Sequence, residues 1–551
     1  MQSDFFYYSF NPLTQESHMQ LMPLIWTLLP IIIILCMLIV FKKAADISGI
    51  VGWIAISIVA YFFFKTSPEV VLRSTAAGLI RSFSVSLIVA TSLLQMALME
   101  KTGALKRIII FIKTIASGNR AVQIMMINIG FGTLMVSVGA TPVSLLPPIL
   151  IAMGYSTYVA IALPAIGYDS LCTYALLGAP IVVFVDIANN FLGKGHEISL
   201  HEAGSIFFYF LPLVSTLIGF CMLWIVGKWD AIKKGWAPCL ITGAVIGLVS
   251  YFTNRFDNFV VLTGVLCGIA VILVMALYLK ASGHPVFDRS ILTQEEIEYE
   301  KHYPLWKALM PWILLVALIL ALNVPKDMFN YLYRTLKLPI AGLTADGKPL
   351  DTRALWQAYT WIFASVVFSL PFLKPSAAQL GDTLRTWLRR APRPVFAAAI
   401  FFAIGEVMNM AGYSCAAKQF IVPSMVKVLA DSSAQFFHNA YGAVVAGIGL
   451  FGGFITGSEA STIAMFAKYA LTTAKNLHMP LPGLLIIAAG LAFGGGLASV
   501  ISPAKLQNAA ASIDKIGEEN KVIRVAFVFS IILTVITSCF VVLLLKLKGG
   551  M

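Results

Sequence analysis

The feature that most constrains this chain is a series of apolar runs that recurs from one end to the other, each near the length of a membrane-spanning helix. About 20 apolar residues in an α-helix cross the core of a bilayer. Hydrophobic residues make up 59% of the chain and charged residues only 12%. The sequence therefore predicts an all-α, multi-pass protein of the inner (cytoplasmic) membrane, with about 12–14 transmembrane elements in contact with the lipid bilayer.

The charge distribution excludes several other classes of protein. The net charge is +13, but the Lys and Arg residues fall in short loops between apolar runs, as the positive-inside rule expects, and do not indicate nucleic-acid binding. The 7 cysteines lie mostly in apolar runs without the spacing of a metal or redox site. We therefore expect no metal and no cofactor. The N-terminal segment has no basic region typical of a signal peptide. Its lack of Lys and Arg, followed by Lys42 and Lys43 after the first apolar run, predicts an N-terminus on the outside.

Shifts in composition divide the chain into two membrane halves joined by polar segments. The predicted order is a polar N-terminal segment (1–23), a first half (24–281) with a disrupted region (121–181), a polar loop (282–304), spans around a polar loop at 324–356 (305–373), an amphipathic linker (374–393), and a second half (394–551) with a disrupted region (449–512).

The two disrupted regions resemble each other and predict where function lies. FGTL (131–134) corresponds to FGGF (451–454), VSVGATPVS (136–144) to ITGSEAST (455–462), and LLGAP (176–180) to SVISP (499–503). Paired segments interrupted by Gly and Pro are typical of inverted repeats, each with a broken helix or re-entrant hairpin that contributes to a transporter's binding site. Close helix packing is the alternative explanation for the glycines, but it does not require Glu459, Lys505 or Asn508.

At these residues the chain resembles the lactate permease family, carriers of lactate and glycolate thought to work by proton symport. ITGSEASTIAMF (455–466) is similar to the family's LTGSDTSSNALF, and ISPAKLQNAAASI (501–513) to its ISPQSIAIACAAV. The family's EGAAGFGAP is replaced by FGTLMVSVGATP, which lacks the acid and has Val136 nearest its place. The family's N-T-A-P is replaced by residues 168–171. The chain is thus identified as a divergent member.

A carrier of this kind needs donors for a carboxylate. Backbone N–H groups at helix starts after Pro142 and Gly457, with nearby hydroxyl, ammonium and amide groups, could supply them. The predicted substrate ligands are Thr141, Thr456, Gly457, Ser458, Ser461, Thr462, Ser502, Lys505 and Asn508. For each hydroxyl, the alternative is a hydrogen bond to the carbonyl four residues earlier in its own helix.

The predicted proton carrier is Glu459, with Asp169 and Glu406 as further candidates, because all three are acids in apolar surroundings. Loss of hydration favours the protonated form of a buried carboxyl group, so such a group can load and release a proton. A permanent ion pair between Glu459 and Lys505 is the alternative. Arg81 could bind an anion, although cations at span ends often reach to the interface.

These patterns predict a secondary transporter of a small organic anion, most simply a short monocarboxylate with a proton. A dicarboxylate, a sulfonate or sodium coupling would use the same fold. An enzyme would need a motif such as H-E-x-x-H or G-x-S-x-G, and neither occurs. A passive channel or a non-transporting subunit stays open as an alternative. Transporter scaffolds of this kind often dimerise, so a homodimer is one of the expected arrangements.

Overall fold

The computed structural model describes residues 21–116, 118–140, 142–193, 195–515 and 517–548, and these are almost entirely helical. The first half contains α1 (Leu21–Ile39), α2 (Ala45–Phe63), α3 (Pro68–Arg81), α4 (Phe83–Lys101), α5 (Ala104–Lys113), α6 (Arg120–Ile124), α7 (Gly132–Ser137), α8 (Pro142–Ala152), α9 (Thr157–Gly167), α10 (Ala175–Leu192), α11 (Leu200–Phe207), α12 (Phe210–Thr253), α13 (Asp257–Val260) and α14 (Thr263–Ala281). A π-helical segment (Met125–Phe131) joins α6 to α7, and a 3₁₀ segment (Tyr168–Tyr174) joins α9 to α10.

The rest of the chain adds twelve helices and two small antiparallel strand pairs, β1–β2 and β3–β4. In order these are α15 (Gln294–His302), α16 (Leu305–Asn323), α17 (Lys326–Asn330), β1 (Leu338–Ile340), β2 (Leu350–Thr352), α18 (Ala358–Leu373), α19 (Ala377–Arg390), α20 (Pro392–Met410), β3 (Tyr413–Ser414), β4 (Gln419–Phe420), α21 (Met425–Phe437), α22 (Tyr441–Thr456), α23 (Glu459–Asn476), α24 (Leu481–Leu497), α25 (Pro503–Ala511) and α26 (Glu519–Lys548). Further π and 3₁₀ segments lie at Tyr331–Thr335, His438–Ala440 and Ala498–Ile501.

The predicted class is confirmed. Within the described residues, 11 helical segments are long and apolar enough to cross a membrane, and α9, α18 and α24 are shorter apolar helices. The apolar run at 76–98 is not one helix, because α3 ends at Arg81 and α4 begins at Phe83. The apolar run at 106–118 is not a helix of membrane length, because α5 ends at Lys113. Residues 1–20 of the predicted polar N-terminal segment lie outside the described part of the chain.

The predicted amphipathic linker contains α19, which lies along α4. A capping box formed by Ser376 and Gln379 begins the helix. The Trp387 indole donates to the Ala90 carbonyl at 2.8 Å, and the Gln379 amide donates to the Lys101 carbonyl at 3.0 Å. Hydrogen bonds at both ends of α19 therefore fix this connection between the halves.

The polar loop at 282–304 contains a helix, α15, that docks on α5. Thr293 caps it, and its acidic side chains meet basic side chains of α5. Lys113 Nζ lies 2.6 Å from Glu296 Oε1, and Arg107 Nη2 lies 2.6 Å from Glu300 Oε1. Partial burial acts to raise the pKa of Glu296, but Lys113 and the backbone at Thr293 outweigh it and hold that pKa below its ordinary value near 4.5. The docked loop is thus held largely by charge.

This arrangement predicts that docking of α15 depends on pH. Because folding lowers the pKa of Glu296, the stabilisation is fully present above about pH 4.5 and is lost as the pH falls through the lowered value. We expect amide protection across Gln294–His302, corrected for intrinsic exchange, to fall with acidification, and Glu296→Gln to have lower protection already at neutral pH. Glu298→Gln, which changes an exposed acid of the same helix, should behave like wild type. Equal protection in both variants at neutral pH would contradict the prediction.

Glycines allow α22 and α24 to pack backbone against backbone. A Cβ atom on Gly449 would lie 2.1 Å from the Leu491 carbonyl oxygen, and one on Gly453 would lie 2.2 Å from the Gly495 carbonyl oxygen. A Cβ on Gly494 would lie 2.0 Å from the Ala446 carbonyl oxygen. Small residues at helix interfaces permit this approach in membranes, where van der Waals packing drives association. The packing explanation is therefore correct for these glycines.

Two substitutions on α22 test this interface with opposite expected signs. Gly453→Ala places a methyl group against backbone that cannot yield, which should destabilise the protein by about 1–3 kcal/mol. Gly447 has no atom within 4 Å of its added Cβ, so Gly447→Ala should be neutral or stabilise by up to about 1 kcal/mol through helix propensity. Thermal unfolding of detergent-purified protein measures both. A Gly453→Ala variant as stable as Gly447→Ala would show that the close approach is unimportant.

The two disrupted regions contain the same order of elements. Helix, interruption, helix, helix, 3₁₀ segment and helix follow one another from α7 to α10 and again from α22 to α25. Contacts between the regions are reciprocal, because α8 packs on α25 as α10 packs on α23. Likewise α24 contacts the first 3₁₀ segment as α9 contacts the second. The halves therefore share one plan, while their inverted orientation stays a prediction.

Candidate functional site

The second disrupted region is built around a break between α22 and α23. Gly457 adopts φ +69°, a left-handed conformation that glycine takes without steric cost, and its N–H donates to the Gly453 carbonyl at 2.8 Å. Ser458 is extended, with φ −151° and ψ 133°, and its side chain does not cap the next helix. Glu459 begins α23. The break thus ends one helix and points the start of another into the protein.

Two of the hydroxyls predicted to bind substrate instead donate hydrogen bonds to the backbone at this break. Thr462 Oγ1 donates to the Ser458 carbonyl at 2.8 Å, the bond to the residue four positions earlier that was the alternative reading. Thr456 Oγ1 donates to the same carbonyl at 2.9 Å. Ser461 differs, because its side chain is fully buried and its hydroxyl has no hydrogen-bond partner among the described residues. Of these hydroxyls, Ser461 is the one best able to bind a ligand.

Glu459 is buried where the two halves meet. Its side chain is 2% exposed, and Thr173 of the first 3₁₀ segment donates to Oε1 at 2.6 Å. Gly496 makes room for the carboxylate, since a Cβ there would lie 2.7 Å from Glu459 Oε2 and 3.2 Å from the Cys172 Cβ. The alternative of an ion pair between Glu459 and Lys505 stays open.

Hydrogen bonds to α7, to α12 and to Asn254 directly after α12 fix the 3₁₀ segment that carries Thr173. Ser170 Oγ lies 3.1 Å from Thr133 Oγ1 of α7, and the Ser170 carbonyl accepts from Ser215 Oγ of α12 at 2.9 Å. Tyr174 OH donates to the Asn254 side-chain oxygen at 2.7 Å. The hydroxyl that meets Glu459 is therefore held by the scaffold of the first half.

A second interruption follows this segment directly. Leu176, Leu177 and Gly178 all have positive φ, at 52°, 54° and 73°. Left-handed conformations cost roughly 1–2 kcal/mol for residues other than glycine and rarely occur in succession. Such conformations persist where surrounding structure enforces them, commonly at functional sites. The LLGAP motif thus forms a strained turn beside the Thr173–Glu459 contact.

The last predicted ligands lie at the start of α25. Ser502 is buried and precedes the helix without capping it through its side chain. It is near the second break, since a Cβ on Gly457 would lie 3.8 Å from Ser502 Oγ. Lys505 is partly exposed and Asn508 is exposed on the same helix. The structure therefore brings Ser502 to the break, whereas Asn508 faces outward.

The remaining predicted site residues lie elsewhere. Glu406 is on α20, with its Oε2 3.6 Å from Arg81 Nη1. Thr141 and the Asp169 side chain lie outside the part of the chain that the structure describes, so their roles stay predictions.

Comparison with known proteins agrees with this architecture. The L-lactate permease family matches the chain over residues 24–548. The chain belongs to the L-lactate permease family. It is 23% identical to the L-lactate permease of Escherichia coli (strain K12), covering 92% of this chain and 93% of that one. It is 22% identical to the glycolate permease GlcA of the same strain, covering 92% of each. The L-lactate permease of Bacillus subtilis (strain 168) is also 22% identical, covering 92% and 93%.

In this family member, sequence reasoning missed two buried polar residues of the first half. Thr173 follows Asp169 in YDSLCTY, but only the fold shows that it meets Glu459. Asn128 lies in the π-helical segment, is 1% exposed, and has no partner for either amide atom among the described residues. A lone Asn inside the apolar run INIGFG was the available signal, since π-helical bulges are frequent at functional sites.

The contact between the halves gives a prediction for this permease. Thr173→Val removes the donor to a buried carboxylate, which should cost about 1–3 kcal/mol of stability and lower substrate uptake. Thr173→Ser, which keeps the hydroxyl, should restore both. Thr472→Val is the matched control, because Thr472 bonds only the Lys468 carbonyl of its own helix. Thermal unfolding and initial uptake rates measure the effects, and a Thr173→Val protein indistinguishable from Thr472→Val would contradict them.

Proposed function

We propose that this family member transports a short monocarboxylate, lactate or glycolate, by symport with protons. The names of the relatives in Escherichia coli and Bacillus subtilis support the substrate class. The observation that carries the proposal is the buried Glu459 carboxyl group at a helix break, held by Thr173 from the other half. An ionisable group at such a place is costly, and in membrane proteins it commonly marks a transport or proton pathway.

In this proposal, the substrate carboxylate binds at the start of α23. Backbone N–H groups and the positive end of the helix dipole favour an anion at a helix start. The Ser461 hydroxyl, which has no partner among the described residues, donates one further hydrogen bond. Ser502, close to Gly457, provides a second hydroxyl from the start of α25.

Glu459 couples this binding to a proton. Two negative charges in one buried site repel each other, so the arriving anion favours the protonated form of a neighbouring carboxylic acid. By reciprocity, protonation of Glu459 favours binding of the anion. Thr173 can donate to the ionised carboxylate, and after protonation the hydroxyl oxygen can accept the new hydrogen bond. Substrate and proton are then loaded and released together.

The experiment is uptake of radiolabelled L-lactate and glycolate into proteoliposomes. For one proton per substrate, an imposed pH gradient of one unit should produce about tenfold accumulation, since that gradient is worth about 1.4 kcal/mol per proton. Glu459→Gln should abolish this accumulation while keeping exchange of labelled for unlabelled substrate. Exchange needs binding and movement but no net proton transfer.

Glu69→Gln, which changes an exposed acid paired with Arg73, serves as the control and should accumulate substrate normally. Continued accumulation by Glu459→Gln under a pH gradient would remove Glu459 from the coupling role. Uptake driven by a sodium gradient and not by a pH gradient would show that the coupling ion is sodium. Absence of transport of either substrate by folded protein would refute the proposed substrate class and leave dicarboxylates and sulfonates to be tested.

A further inference from the structure

Three ionisable side chains meet inside the helical bundle at a place distinct from the breaks. They are Arg81 at the end of α3, Glu406 on α20 and Lys468 on α23. The three helices approach closely, because a Cβ on Gly78 would lie 2.5 Å from the Ala403 Cα and one on Gly405 would lie 2.9 Å from the Ala464 carbonyl. We call Arg81, Glu406 and Lys468 the charge cluster.

The charge cluster has one more positive charge than negative charge. Arg81 Nη1 is 3.6 Å from Glu406 Oε2, beyond hydrogen-bonding distance, although the Glu406 side chain is only 11% exposed. Lys468 is one turn beyond Ala464, whose carbonyl oxygen would lie 2.9 Å from a Cβ on Gly405, the residue before Glu406. The charges that act on Lys468 are those of Glu406 and Arg81, and those of Asp346 and Lys348 in the polar loop. Among the side chains that the structure describes, neither cation has a hydrogen-bond acceptor. A guanidinium has five N–H donors and an ammonium three, so the donors are present and the acceptors are missing.

An uncompensated cation in a membrane protein interior is expensive. The favourable resolution is a second anion, and a carboxylate matches a guanidinium because its two oxygens accept two parallel hydrogen bonds. The Arg81 side chain is 32% exposed, so an anion can reach it. The cluster therefore has the charge, the donors and the access that a small carboxylate requires.

One residue of the charge cluster, Lys468, lies on α23, the helix that Glu459 begins at the break. Lys468 follows Glu459 by nine positions on α23, which places it about 13 Å further along the helix axis. Met410 at the end of α20, one turn beyond Glu406, packs with Ala345 of the polar loop and with Val70 and Tyr413. The charge cluster thus lies between the loop-covered end of the protein and the buried carboxyl group.

We propose that Arg81 and Lys468 form an anion-binding station, a transient binding site for the substrate carboxylate. The substrate passes through it between the loop-covered face and the site at Glu459. Glu406 is the resident counter-ion, which the substrate displaces. The identity of the passing anion rests on the proposed function; the binding of an anion does not. Glu406 weakens the station, so that an anion which binds there can also leave it. Transport requires such balanced affinity.

The first test is kinetic. Arg81→Gln and Lys468→Gln should each raise KM for L-lactate about tenfold or more, with the maximal rate changed less, because each loses a charged hydrogen-bond donor. Glu406→Gln should lower KM and slow the maximal rate, because the anion loses its competitor. Lys427→Gln, which changes an exposed cation on α21 paired with Asp431, is the control and should leave KM unchanged. Arg81→Lys keeps the positive charge but loses the two parallel N–H donors of the guanidinium, so its KM should lie between those of wild type and Arg81→Gln. It provides a second variant if Arg81→Gln does not fold.

The second test does not depend on lactate transport. A Lys468→Cys variant, made after replacing Cys36, Cys415 and Cys539, is labelled with anionic and cationic methanethiosulfonates of similar size. Because Lys468→Cys leaves Arg81 and Glu406 with opposite charges, the effect of Arg81 is measured by comparison: Arg81→Gln should lower the ratio of anionic to cationic labelling about tenfold. A labelling ratio that Arg81→Gln does not change, or unchanged KM in both Arg81→Gln and Lys468→Gln, would overturn the station. A labelling ratio that depends on Arg81, in a protein that moves no lactate or glycolate, would refute the proposed substrates and retain the station.

Discussion

A broken helix inside a membrane must be shielded from lipid, because its unpaired N–H and C=O groups have no water to bond there. In this protein each interrupted region shields the other. The helix after the first interruption, α8, packs on α25, and the helix after the second, α23, packs on α10. The 3₁₀ segments contact each other between them. The position of the candidate site follows from this constraint, since the shielded zone is also where polar groups of both halves can meet.

The same glycines serve packing and chemistry. Gly449, Gly453 and Gly494 bring α22 and α24 into backbone contact. Gly496, two positions after Gly494, has no side chain and so leaves room for the Glu459 carboxylate. Larger side chains at these positions of α24 would both separate the two helices and fill the space that the Glu459 carboxylate occupies. Close packing therefore positions the buried acid against Thr173 with little freedom to move. Because the two groups are held in place, the single hydroxyl of Thr173 can have a large effect on the Glu459 carboxyl group.

The sequence was sufficient for the class of protein, for the two interrupted regions and for the choice of Glu459 as a buried acid. These depend on local composition and on Gly and Pro, which act over a few residues. It was not sufficient for Thr173, which lies 286 positions from its partner, because such a pairing depends on how the halves assemble. Lys468 was missed for a related reason. One Lys in a long apolar helix has meaning only once Arg81 and Glu406 are seen beside it.

The two halves contribute different chemistry to the break. The first interrupted region has no acid between Phe131 and Pro142, and its hydroxyls at Thr133 and Ser137 bond to Ser170 and to their own helix. Of the acids whose side chains the structure describes, Glu459 is the one that lies at a break. The first half thus supplies fixed donors and the second half supplies the titratable charge. In the proposed symport, this division places one exchangeable charge beside one monovalent anion, and its simplest consequence is an electroneutral cycle of one proton per substrate.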